Sequence, residues 1–196
     1  MSELLGIVHN LNRLAELQRT ALLDTPSEEP FDRLTRLATR LCKTPVALVS
    51  LVDRDRQFFK SAVGLPEPWR TRRETPLSYS FCKHAVAQRE PLVVPDARRD
   101  PTFSDNPAVR ELNIVAYAGV PLTLSGHALG TLCVVDCEPR AWSYDEVQTL
   151  RDLAECAMRE IDMRTRLRES EEARRSAEAR ANRWTQAPVT PPRINA

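Results

Sequence analysis

The chain of 196 residues predicts an α+β fold, a central, mainly antiparallel sheet flanked by helices and followed by a long carboxyl-terminal helix. Three observations carry this. Apolar, β-branched runs come in pairs joined by short polar turns, the mark of hairpins. Stretches with apolar residues every three or four positions lie between them, the mark of helices resting on a sheet. Finally, the stretch from Thr75 to Asp136 sets a compact helix and three apolar runs around one polar loop, Asp96 to Asn106, and so many turn-formers in mid-domain imply a covered pocket.

The elements follow in order. His9 to Leu23 places Leu11, Leu14, Ala15, Leu17, Ala21 and Leu22 near one face of a single helix, and Asp24 to Ser27 breaks it. Phe31, Leu34, Leu37, Ala38 and Leu41 form a second stripe that stops before Pro45, with Ser27 and Glu28 near its start. Val46–Val52 and Phe58–Val63 read as a hairpin around Asp53 to Arg56, and Gly64 to Pro76, with no periodicity, reads as a loop. Ser80 is placed to cap a helix that carries Cys82 and His84. Leu92 to Val94 makes a short strand, and Pro107 opens a short helix to Leu112. Val115–Leu124 and Leu129–Val135 make a last hairpin, with Gly126 supplying the turn's positive φ. Ser143 and Glu146 form a capping box for a helix whose Val147, Leu150, Ala154, Ala157 and Ile161 step by three or four.

Composition excludes several classes. With 28 basic and 27 acidic residues, a net charge of +1 and 42% apolar content, no whole-chain field draws nucleic acid or an anionic membrane. Met1 to Val8 lacks the basic leader and apolar core of an export signal, and no run approaches the roughly 20 apolar residues of a spanning helix, so the cytoplasm is the expected compartment. The five cysteines, Cys42, Cys82, Cys133, Cys137 and Cys156, lack scaffold spacing and suit reduced thiols, most of them small core residues. A metal site shared by Cys82, His84, Cys133 and Cys137 is disfavoured, because Cys133 lies mid-strand. His9 and His127, on a helix face and in a turn, read as solvated. So do the arginine clusters at Arg70, Arg72 and Arg73 and at Arg98 and Arg99, which otherwise suit an anion.

From Arg164 to Trp184 the chain holds seven arginines and four glutamates but little to bury. Ser143 to Trp184 is therefore about forty residues of helix, on the order of 60 Å, and a helix that long needs a partner. The expected divisions are an amphipathic helix over 1–21, a globular domain over 22–160, a projecting charged helix of coiled-coil type over 161–185 and a disordered proline-rich tail over 186–196.

Phe31-Asp32-Arg33-Leu34, Ala47 to Asp53, Arg56 to Ser61, Phe81 to Ala85, Leu92 to Ala97, Tyr117 to Leu122 and Gly130 to Asp136 together resemble a GAF domain, the small-molecule-sensing relative of PAS domains in bacterial signalling proteins. The resemblance runs from about Leu22 to Met158. It implies a pocket between the sheet and the helices crossing it, dimerisation through flanking helices, and a signal passed to an output domain, fused or separate, in two-component or cyclic-dinucleotide signalling. The residues placed to bind a small ligand are Phe81, Cys82, His84, Asp96, Phe103, Asn113 and Tyr117, with packing or capping as the alternative for each.

The family's known variants fit unevenly. Asn106-Pro107-Ala108-Val109 lacks the lysine and acid of the cyclic-nucleotide-binding signature, and no cysteine between Asp96 and Val120 is available for covalent bilin attachment, so both ligands are disfavoured. Free-methionine-sulfoxide reductases need an attacking thiol near Arg110, where none stands; Cys82 alone matches. The expectation is thus a non-enzymatic sensor and homodimer whose ligand is unknown. The alternatives are a ligand-free dimerisation module with Phe81, Phe103 and Tyr117 filling the pocket, and a thiol enzyme.

Overall fold

A computed structural model describes residues 2–185; the expected tail, 186–196, lies outside them. Six strands form one antiparallel sheet in the order β3-β2-β1-β6-β5-β4. They are β1 (Val46–Val52), β2 (Arg56–Val63), β3 (Glu74–Pro76), β4 (Leu92–Val94), β5 (Ala116–Leu124) and β6 (His127–Asp136). The helices are α1 (Ser2–Val8), α2 (Leu11–Arg19), α3 (Glu29–Cys42), α4 (Trp69–Arg72), α5 (Cys82–Gln88), α6 (Pro107–Glu111) and α7 (Tyr144–Thr185).

Strand alternation divides the core into two. Ala47, Val49 and Leu51 of β1 join Ala118, Val120, Leu132 and Val134 under α3 and α7, while Leu48 and Val52 join Tyr117, Cys133 and Val135 under α5. The period of two dictates this, since successive side chains leave opposite faces. On the first face α7 buries Leu150, Ala154, Ala157 and Ile161, and burying the Leu and Ile side chains stabilises by about 1.5–3 kcal/mol each. Beyond the sheet, Arg19 pairs with Glu169 at 2.8 Å and tethers α7 to α2; from Ser170 to Asn182 every described side chain is exposed.

The capping box forms: the Ser143 backbone N–H donates to Glu146 Oε2 at 2.8 Å and the Glu146 N–H to Ser143 Oγ at 3.2 Å. Ser143→Ala is expected to cost about 1 kcal/mol, read as a lower urea midpoint together with faster hydrogen exchange in the first turn of α7. The β5–β6 turn places Ser125 at φ 49° and Gly126 at φ 78°, the conformation that matches the sheet's twist.

Two expectations are corrected. The amphipathic helix expected over 1–21 is two helices: α2 is the helix read from His9–Leu23, and α1 precedes it, because the Asn10 side chain caps α2 by accepting from Arg13 N at 3.1 Å, and a residue so placed leaves the helical conformation. The loop expected over Gly64–Pro76 contains α4 and β3. β3 forms by pairing with β2, a long-range contact invisible to local periodicity.

Candidate functional site

The candidate site lies on the second face of the sheet, under α5. Phe81 enters α5, and its ring stacks on Phe103 at 4.5 Å and on Tyr117 at 5.3 Å between centroids. His84, one turn further, meets Phe103 edge-on at 4.8 Å. The three rings are almost wholly buried, so the aromatic residues expected to wall a pocket fill it instead. What remains is a cavity of about 30 Å³ bounded by Phe81, Cys82 and Tyr117 with Gln57, Thr75 and Cys133. That is room for little more than water.

Tyr117 has space for its ring because Gly119 follows two residues on in β5, on the same face; a Cβ there would stand 2.1 Å from the Tyr117 hydroxyl. The phenol donates to Cys82 Sγ at 3.4 Å, and Cys82 Sγ lies 3.9 Å from Cys133 Sγ. Of the two thiols Cys82 is the more acidic. Burial pushes it up, but the neighbouring Cys133, Thr131, Tyr117 and Ser50 groups outweigh this. Cys133 is pushed the other way, by its thiol neighbour and by burial. Ser50 and Thr131 keep buried hydroxyls whose geometry falls short of a hydrogen bond. Burial, with Lys83 beside it, lowers the His84 imidazole to about 4, so His84 is neutral at pH 7 and offers a polar edge without charge.

The remaining sequence-assigned residues stand apart. Asp96 turns back on its own loop and accepts from Arg98 Nε and Nη2, both at 2.8 Å, with Arg99 at 3.7 Å. Asn113 sits exposed at φ 52° between α6 and β5, a backbone position that Asn tolerates. Both are turn residues. Sequence reading missed Gln57 and Thr75, polar positions paired across β2 and β3 and buried, whose placement depends on the register of those strands. It also missed Tyr79, which donates to Glu111 at 2.6 Å and closes the cavity's edge.

Of the arginine clusters expected to be solvated, Arg70, Arg98 and Arg99 are exposed. Arg73, expected to be solvated, instead donates to the carbonyls of Thr25, Phe59 and Lys60 at 2.7–3.0 Å; it is itself the left-handed residue that ends α4. A hollow of about 360 Å³ beside it, lined by Ser27, Asp32, Arg36 and Arg70, carries no surplus charge: Arg36 pairs with Glu29 and Arg70 with Glu67. Cys42, Cys82 and Cys133 are buried, whereas Cys137 and Cys156 are exposed. Among the described residues no three His, Cys, Asp or Glu side chains gather where they could hold a metal ion, and no helix is long and apolar enough to cross a membrane.

The family model for the GAF domain matches residues 7–161. This chain belongs to the GAF family. Among curated relatives, the protein named Cyclic di-GMP phosphodiesterase PA2567 of Pseudomonas aeruginosa is 41% identical over 131 residues, covering 66% of this chain and 22% of that protein. The chain thus spans about a fifth of that relative's length. The GAF domain of an Acinetobacter phosphoenolpyruvate-protein phosphotransferase superposes with a TM-score of 0.58 at 18% identity, covering 81% of this chain and 98% of that one. The free methionine-R-sulfoxide reductase of Neisseria meningitidis gives 0.57 at 18% identity over 79% and 88%. At such identities these two structures establish the fold alone, and on a GAF domain the function rests on the site.

Proposed function

We propose that this GAF domain is the regulatory part of a signalling system, that it works as a homodimer, and that it passes its state through α7 to an output domain, fused or separate. One observation carries the reading: α7 is a single helix of 42 residues, buried on the sheet through Ile161 and free of the domain from Ser170. It connects the face opposite the candidate site to whatever lies beyond. The relatedness to a phosphodiesterase over only 22% of its length supports an output in cyclic di-GMP turnover carried by other sequence. In this reading the chain is not itself an enzyme, and its expected place is the cytoplasm.

The partner surface is on α7. Met163 and Leu167 are 68% and 61% exposed, and with exposed Cys156 they share one helical face through steps of seven and four, the spacing of a coiled-coil seam. Residues 161–185 are then the two-stranded linker. Met163→Glu combined with Leu167→Glu is expected to convert dimer to monomer in light scattering without changing the far-ultraviolet dichroism. A wild-type monomer would refute the paired-helix mechanism.

A small ligand at Phe81, Cys82, His84, Phe103 and Tyr117 requires the stacked rings to part, so it binds only by selecting an open state, and its affinity falls by the population of that state. The closed cavity favours a second reading, a dimerising relay that takes no ligand there. Native mass spectrometry on protein from its own host separates the two: a dimer with retained mass supports the sensor, and a bare dimer the relay.

A further inference from the structure

Where the α1–α2 junction meets the β5–β6 turn and the end of α5, a separate cavity of about 150 Å³ opens beside Gly6, Asn10, Arg13, Arg89 and His127. It is several times larger than one water needs. Arg13 closes one wall while almost wholly buried. Its Nε donates to Val8 O and its Nη1 to Val52 O, both at 2.8 Å, but its Nη2 is buried without a hydrogen-bond partner. Among the described residues no carboxylate lines the cavity. The nearby acids lie outside it: Asp53 acts on Arg13 only through its field, and Glu16, held by Arg19 at 2.7 Å, reaches His127 only through its field. Burial accordingly lowers the Arg13 guanidinium to about 10, with Asp53 offsetting part of this.

A buried cation is ordinarily balanced by a hydrogen-bonded carboxylate, and an uncompensated one is costly. Here the balance is incomplete, and a cavity with a second arginine and a histidine adjoins the deficit. His127, expected to be solvated, is half-buried instead. We propose that this cavity binds a small oxyanion, a phosphate- or carboxylate-bearing metabolite of a few heavy atoms, held by Arg13, Arg89 and His127. Bound there, it links α1 and α2 to α5 and the β5–β6 turn. The site is distinct from the aromatic cluster and independent of the reading above, because neither α7 nor the dimer enters it.

Gly6 provides the test. Gly6 lines the cavity and a Cβ there would meet nothing within 4 Å, so Gly6→Leu sets a bulky side chain at the cavity without a clash, from a helical position where losing glycine is itself favourable. The experiment is a titration of the full chain with inorganic phosphate, glycerol 3-phosphate and succinate, followed by amide resonances, against sodium chloride at matched ionic strength. Saturable shifts at Gly6, Arg89 and His127 are expected with at least one of the three. Arg89→Gln should weaken binding about tenfold, the loss of one charge-assisted contact, and Gly6→Leu should abolish it while leaving the unfolding midpoint unchanged or higher. Shifts that chloride reproduces, or that survive Gly6→Leu, would overturn the site. A phosphate response without a succinate response, or the reverse, identifies which oxyanion it accepts.

Discussion

Glu28→Gln is expected to be among the most damaging single substitutions in this domain. Lys60 is fully buried in mid-sheet, and its ammonium is held by Thr25 Oγ1 at 2.6 Å, the Pro26 carbonyl at 2.7 Å and the Glu28 carboxylate. The same carboxylate pairs with Arg164 of α7, and both cations lie over the Phe31 ring, at 5.6 and 5.8 Å. Glu28 therefore joins β2, α3 and α7. Removing one member of a buried pair costs about 3–5 kcal/mol. Since Glu28 is itself partly solvated, at 28% side-chain exposure, about 2–4 kcal/mol is the better expectation. The urea midpoint measures the loss, and hydrogen exchange should show α7 loosening around Arg164 first. A midpoint within experimental scatter of wild type would refute the linkage.

The pH dependence has a definite sign. Burial pushes the Glu28 carboxyl up, but Lys60 and Arg164 outweigh it and hold its pKa below the ordinary 4.5. A carboxylate so lowered stabilises the fold fully above 4.5, and the contribution is lost as pH falls through the folded value. Wild type should therefore lose stability below pH 4.5 more steeply than Glu28→Gln. Lys60 acts at the other end. Burial lowers its pKa below 10.5 despite Glu28, so the unfolded chain holds its proton more tightly and stability from this group rises with pH up to about 10.5. Without Glu28 that rise should begin at lower pH.

Phe81→Ala tests the aromatic cluster. The ring sits between Phe103 and Tyr117 and abuts a cavity of about 30 Å³ with mostly apolar walls, Leu48, Phe59, Leu65 and Val135 among them. Truncation should cost about 3–5 kcal/mol, since the neighbours collapse only partly into the void, whereas Phe81→Leu should cost less, about 1–2 kcal/mol. The enlarged cavity is apolar enough to stay dry and admit benzene or xenon. Chemical-shift changes at Tyr117 and Cys133 on adding benzene to Phe81→Ala, absent from wild type, would establish that the rings occupy the space of a ligand. A loss below 1 kcal/mol would mean that the stack is not part of the core.

Much of this architecture is local physics. The period-two runs at Val46–Val52 and Ala116–Leu124 assign alternate residues to opposite faces whatever surrounds them, and Ser143 with Glu146 starts α7 through bonds made within four residues. The family resemblance rests on the same short segments. The residues proposed for the site were legible in kind but not in placement. Phe81, Cys82 and Tyr117 do converge, because a helix and a strand were correctly expected there. Asp96 spends its carboxylate on Arg98 in its own loop, and Asn113 occupies an exposed left-handed turn position.

What the sequence determined by itself was the order of elements, the caps and turns, and which positions are apolar, because each depends on backbone preferences and periodicity over a few residues. Only the tertiary structure decided that three aromatic rings close the pocket, that Lys60 is buried against Glu28 and Arg164, and that Arg13 lies beside an open cavity with one donor unpartnered. These depend on volume and on charge compensation between segments far apart in the chain, some 30 to more than 130 residues for the Lys60–Glu28–Arg164 group, and no local pattern in the sequence encodes either.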